Sequence, residues 1–162
     1  MQNKVDTDHS SRRCNALIRS HHVMTLATAS ERGAWSTPVY YYYADHHFFF
    51  FSNRNSRHIK EAGEEGKSAV SIFHDPADSS VSGFEQIQGV QMSGTIKSGT
   101  GHPRALQTTI AYIRRFGLNI KGPDPLDVIQ SAFHASLYCF VPDRVFFIDN
   151  SKGLGNRQEV KL

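Results

Sequence analysis

The apolar residues of this chain gather in short runs of β-branched, aromatic and small side chains, spaced fairly evenly and broken by polar turns. Such runs predict strands. Residues 23–29 (VMTLATA) form the first, and Glu31, Arg32 and Gly33 turn the chain. Residues 35–43 (WSTPVYYYY) form a second, interrupted by Pro38. A proline removes a ladder donor, so it points to an edge, a bulge or an irregular ladder. After a turn at 44–46 comes a third strand, 47–52 (HFFFFS). Residues 68–74 (SAVSIFH) make a fourth, stopped by Asp75-Pro76. Residues 87–97 (IQGVQMSGTIK) make a long fifth, whose two glycines suggest a bend or a close backbone approach. Residues 135–141 and 144–148 are the last two strands, around Pro142-Asp143.

Helical spacing appears between them. Leu106, Ile110 and Ile113 predict a helix over 102–116, with Pro103 in its first turn. Residues 126–132 supply another turn or two, and 56–62 a short helix ended at Gly63. Cys14, Leu17 and Ile18 give one apolar side to a helix capped by Ser10 or Ser11. Residues 1–10 read as a disordered tail, 118–125 as a loop, and the segment from Asn150 as a polar tail. Six or seven strands with two or three helices, no repeat and no linker predict one domain over 11–162, a closed or partly open β-barrel.

Composition narrows the function classes. The net charge of +3 is scattered rather than gathered into a basic stripe, which argues against a nucleic-acid partner. The N-terminal MQNKVDTDHSSRR lacks an apolar core, and the longest apolar run, Phe48 to Phe51, is too short to span a bilayer. These features predict a cytoplasmic protein with no membrane partner. Cys14 and Cys139 lie far apart and read as free thiols. The nine histidines include the adjacent pairs His21-His22 and His46-His47 but no HxH or HxxxH spacing, so no metal site is predicted. The segment 63–68 ends like a P-loop, yet Glu61 stands where its first glycine belongs. The aromatic runs 40–43 and 48–51 put rings on both faces of their strands, which implies that both are covered, one of them by a partner subunit. Trp35 reads as core or interface in the same way.

The segment Phe50-Phe51-Ser52-Asn53-Arg54-Asn55-Ser56-Arg57-His58 carries the chemistry. It runs from a strand end into a helix start, where free N–H groups suit an anion. The first turn holds Arg57, His58 and Lys60 with no acid before Glu61, an arrangement that a bound phosphate would reward. Ser56 can cap or donate a hydroxyl, and Arg57 can bind two oxygens at once. A capped surface helix with solvated basic groups fits the same residues.

The order of elements resembles the pyridoxamine 5′-phosphate oxidase-like FMN-binding split barrels, and most of all a small bacterial branch of that superfamily. The resemblance runs over residues 15–155. It rests on a Thr-Pro-Val strand, an aromatic strand ending in Ser52, and Ser56-Arg57-His58 opening a helix. It implies a six-stranded split β-barrel flanked by two to three helices, bound FMN, and a homodimer with flavin at the interface. It implies a flavin-dependent oxidoreductase that takes a small-molecule substrate or electron donor. A non-enzymatic flavin or haem carrier or sensor is the alternative, with haem as the other cofactor. By position, Thr37, Pro38, Val39 and Tyr40 would lie along the isoalloxazine ring. Phe51 and Ser52 would sit near the ribityl chain and phosphate. Ser56, Arg57 and His58 would hold the phosphate, and Gln88 and Gln91 occupy the strand that reaches a flavin from the partner. His58 stands where the family has lysine, and Thr37 where the true oxidases have a basic residue. The substrate-binding Arg/His motif of those oxidases is not recognisable, which points away from pyridoxamine phosphate as substrate.

Overall fold

The computed structural model describes residues 2–63, 66–74, 83–120, 122 and 124–162. Asp75-Pro76, Glu64-Glu65 of the P-loop-like segment, and Met1, Lys121 and Pro123 lie outside the described residues.

Among the described residues, eight antiparallel strands form one curled sheet. They are β1 (Val23–Ser30), β2 (Gly33–Tyr40), β3 (Tyr42–Ala44), β4 (His47–Asn53), β5 (Lys67–His74), β6 (Gln88–Ser98), β7 (Ala135–Asp149) and β8 (Arg157–Val160). Their spatial order is β2-β1-β5-β6-β7-β4-β3, with β8 also on β7. The fold is a split β-barrel of mainly β character, with eight strands where six were expected. The described residues also form the α-helices α1 (Gln2–Ser20), α2 (Arg57–Ala62), α3 (Ala105–Phe116) and α4 (Pro125–Phe133). None of the described helices is long and apolar enough to cross a membrane.

Several boundaries differ from expectation: α3 starts at Ala105, leaving Pro103 before it, Arg157–Val160 of the expected tail form β8, and three further differences have a visible reason. Residues 2–10, expected as a tail, belong to α1. Ser10 is not a cap: it is buried, and its hydroxyl donates to Gln158 Oε1 of β8 at 2.7 Å. Arg13 pairs with the buried Asp149 at the end of β7. A helix anchored in this way propagates upstream at little cost. The strand expected over 35–43 is broken at Tyr41, whose N–H donates to His22 O at 3.0 Å and whose hydroxyl donates to Ile18 O at 2.6 Å. That one residue ties the strand break to the end of α1 and the loop that follows it. Finally, residues 135–149 are a single strand, because Pro142 and Asp143 are absorbed by a bulge.

The bulge is the corner of the barrel. The register of β6 on β7 shifts between Ser93 and Gly94. A Cβ on Gly94 would lie 2.2 Å from Val141 O and 2.9 Å from Pro142 Cα, so only glycine lets the strands touch there. Gly89, the other β6 glycine, meets only ordinary contacts. Beyond the corner, β7 changes partner: residues 135–140 pair with β4, and residues 145–148 with β8.

Two cores result. The barrel interior holds Ile18, Met24, Leu26, Tyr41, Phe48, Phe50, Val90, Phe140 and Phe147. Each fully buried aromatic or aliphatic side chain contributes about 2–3 kcal/mol through its apolar area. On the other face of β4 and β7, Phe49, Leu137, Cys139 and Ala105 form a second core beneath α3 and α4. α3 ends where Gly117 adopts the left-handed conformation, at φ 61°, and its N–H caps Ile113 and Arg114. α4 starts on Asp124, which accepts from Leu126 N at 2.8 Å.

Candidate functional site

Strand β4 carries its aromatic residues into both cores and, next to its last residue, places Ser52, which points into the barrel and is buried. The turn after it brings Ser56 and His58 back onto Ser52. Ser52 Oγ lies 2.9 Å from Ser56 Oγ and 2.8 Å from His58 Nε2, and Ser56 Oγ lies 3.3 Å from the same Nε2. The protons can be assigned. Ser56 gives its hydroxyl proton to Asn53 O at 2.7 Å, so it accepts from Ser52. Ser52 then has no proton left, and His58 Nε2 must be the donor. The direction is therefore His58 to Ser52 to Ser56 to Asn53. Burial lowers the His58 pKa, opposed by the nearby Glu61 charge, and favours the neutral imidazole.

α2 has only six residues, too few for a strong dipole, and Ser56 does not cap it through its side chain. Ser56 and His58 hold the strand end to the helix, and an anion must compete with bonds already made. The sequence-based expectation of a helix N-terminus as anion cradle therefore rests on side chains, above all on Arg57.

Arg57 is held from two sides. Its Nε donates to Glu61 Oε1 at 2.5 Å, one helical turn on, and its guanidinium lies 4.4 Å from the Trp35 ring centroid on β2. Glu61 is itself bolted to β1: Thr28 Oγ1 donates to its Oε2 at 2.8 Å and Ser30 Oγ to its Oε1 at 3.1 Å. Its side chain is 7 % exposed. The Arg57 hydrogen bond, with those from Thr28 and Ser30, holds the Glu61 carboxyl below its ordinary pKa. Because the bond to Glu61 uses Nε, the Nη1 and Nη2 edge of Arg57 meets no acceptor among the described residues. That edge is a fork suited to two oxygens of one phosphate.

The remaining predicted residues separate by strand alternation. On β2, Thr37 and Val39 lean toward the interior, opposite Leu26 and Met24, whereas Pro38 and Tyr40 face outward, opposite Thr25 and Val23. β2 is the edge of the sheet and, among the described residues, pairs with β1 alone; Tyr40 O at its end accepts from the Tyr112 hydroxyl of α3 at 3.4 Å, and its other backbone edge has no strand partner. Phe51 points away from Ser52 and packs edge-on against Tyr112 of α3, with centroids 5.1 Å apart. It supports the second core rather than the serine–histidine knot. Gln88 shares the face of Val90 and Met92, and Gln91 the opposite one, so a single ligand cannot meet both from one side. Gln91 accepts from Arg157 at 3.4 Å.

Glu61, Thr28 and Asn53 complete the site and were not singled out from sequence. The spacing of Arg57 and Glu61 by four was the only legible signal for any of them. Elsewhere, His21 Nε2 and His74 Nδ1 meet at 3.3 Å, and no group of three metal-ligating side chains gathers among the described residues. A separate concavity of about 620 Å³ lies between α1, the β3–β4 turn and the β7–β8 pair, lined by Asp8, His47, Pro142, Arg144 and Glu159.

Solved structures share this fold at low identity. A haem-binding protein from Mycobacterium smegmatis matches with TM-score 0.68 and 15 % identity, over 94 % of this chain and 57 % of that one. The chain thus spans little more than half the length of that protein. An FAD-binding protein from Mesorhizobium loti matches with TM-score 0.62 and 17 % identity, over 85 % of this chain and 92 % of that one. A haem storage protein from Vibrio cholerae matches with TM-score 0.62 and 11 % identity, over 83 % and 92 %. No curated protein matches in sequence. The family model described as pyridoxamine 5′-phosphate oxidase matches residues 11–139, and with the split barrel and the strand-to-helix motif in place, the chain belongs to the pyridoxamine 5′-phosphate oxidase family.

Proposed function

We propose that this protein binds FMN along β2 and α2 and acts as a flavin-dependent oxidoreductase. The observation that carries the reading is Arg57, fixed by Glu61 and Trp35 with its two terminal nitrogens meeting no acceptor among the described residues, next to the edge strand β2. The residues fit the cofactor. The Arg57 edge suits the terminal phosphate, and the unpaired backbone of β2 suits the polar edge of the ring. FMN would supply the hydride chemistry when bound.

The chain's own residues bind and orient. Arg57 binds the phosphate. Ser52, Ser56 and His58 fix the turn that presents Arg57, and Thr37 and Val39 seat β2 against the barrel. No side chain is assigned as an acid or base. The missing Arg/His motif argues against pyridoxamine phosphate as the substrate.

Exposed apolar residues on the sheet suit completion of the site by a second copy in a homodimer. The outer face of the sheet offers Val23 and Phe73, 41 % and 59 % exposed, together with Gln91 on the same side. Gln91 rather than Gln88 would then reach the flavin of the partner. A flavin or haem carrier without turnover is the second reading, favoured by the haem-binding Mycobacterium and Vibrio proteins that share the fold.

A visible spectrum of the purified protein, before and after adding FMN, tests the proposal. Flavin bands that co-elute with the protein in gel filtration support it, and a Soret band supports the haem reading. Binding of neither refutes both. Bleaching of the loaded protein by NADH or NADPH without oxygen separates the oxidoreductase from the carrier.

A further inference from the structure

The Arg57 side chain would have little reason to hold one direction on a six-residue helix. Arginine has many rotamers, and fixing them costs entropy that a free side chain does not pay. In this protein the direction is imposed from outside the helix. Glu61 accepts from Nε, the inner nitrogen, and cannot drift, because Thr28 and Ser30 of β1 donate to both of its oxygens. Trp35 limits movement on the other side. An acidic residue beside an anion site is at first sight a defect, since its charge repels the ligand. Its anchoring by two hydroxyls from another element argues for a positive role.

We propose that Glu61 is a positioning residue for Arg57, and that it makes the site selective for a phosphomonoester end such as that of FMN. The inference rests on the flavin-site reading above. It adds the residue that discriminates the phosphorylated cofactor from the unphosphorylated one.

Charge and hydrogen bonding act in opposite directions at Glu61, and two variants separate them. Gln in E61Q retains an acceptor for Arg57 Nε and removes the repelling charge. Ala in E61A removes the charge and the anchor together. FMN and riboflavin serve as probes in fluorescence-quenching titrations of the full chain, because riboflavin lacks only the phosphate. E61Q should bind FMN at least as tightly as the unaltered protein. E61A should bind FMN at least fivefold more weakly than E61Q, while the two bind riboflavin equally. T28V, which loosens Glu61 without touching Arg57, should weaken FMN binding in the same sense, by about two- to threefold, again sparing riboflavin. A merely structural role would lower both affinities together.

Equal FMN affinity for E61A and E61Q overturns the positioning role. The site reading fails differently: the unaltered protein then shows no preference for FMN over riboflavin, or R57A leaves that preference intact. Should E61A unfold, T28V and E61Q decide the question, and a T28V protein with unaltered FMN preference counts against the proposal.

Discussion

Replacing Gly94 by alanine adds a methyl group at the corner where β6 and β7 cross in closest contact. The added Cβ would stand 2.2 Å from Val141 O, 2.8 Å from Phe140 Cζ and 2.9 Å from Pro142 Cα, where ordinary contact begins at 3.4 Å. Something must move by about 1 Å. The phenylalanine ring can tilt, but a strand carbonyl and a proline Cα cannot move alone, because β7 is tied to β6 on one side and to β4 and β8 on the other. Overpacking a well-packed site costs about 1–3 kcal/mol, and a backbone obstacle puts this one at the upper end. For a chain of this length that corresponds to a fall in Tm of roughly 6–12 °C, at about 2–4 °C per kcal/mol. Thermal melting by circular dichroism measures it. G101A is the control, because a Cβ there meets nothing within 4 Å. If G94A melts within about 2 °C of G101A, the bulge tolerates a side chain and the account of the corner is wrong.

Further outcomes follow from the site and its supports. His58 is held below its ordinary pKa of 6.5 by burial, so its neutral form prevails from pH 7 to 9, and FMN affinity over that window should not fall with imidazole titration; a steep fall in an isothermal titration series would show that the cation takes part. The same shift fixes the sign of an acid effect: the unfolded chain takes the proton more readily, so His58 costs stability as pH drops below 6.5 and contributes nothing above it, which urea midpoints at pH 5 and 7 of H58N and the unaltered protein would compare. D149N should destabilise by about 1–3 kcal/mol in urea unfolding, since the buried Asp149 accepts from Arg13 and from Ser151. F73E, on the outer face, should convert a dimer into a monomer in light scattering, and an unchanged mass would move the interface elsewhere.

The strands were legible in the sequence because each is a compact apolar run bounded by turn residues. What escaped was non-local. β8 reads as polar tail, since Arg157, Gln158 and Glu159 form a strand only because the second half of β7 offers an edge. The break at Tyr41 is set by two distant carbonyls, Ile18 O in α1 and His22 O in the loop after it, and the continuity through Pro142-Asp143 by a glycine about fifty residues upstream. At the site, Arg57, Ser52, Ser56 and His58 were all singled out. Their sorting was not: the sequence showed a row of polar groups, while the folded chain ties three of them to one another and ties the fourth, Arg57, to Glu61 through Nε.

Strand β7 has a further consequence, for the order in which this chain acquires its shape. It is the only strand among those described that joins β6, β4 and β8, and it is made late, after residue 134. As the polypeptide leaves the ribosome, β4 with its three buried phenylalanines must wait without a neighbour on its open side, and so must one edge of β6. The pairing that relieves both spans more than eighty residues for β4, a separation that slows folding and lengthens the exposure of sticky edges. Maturation of this protein is therefore gated by a single fifteen-residue segment, and a nascent chain halted before it is a target for chaperones and proteases rather than a smaller version of the finished barrel.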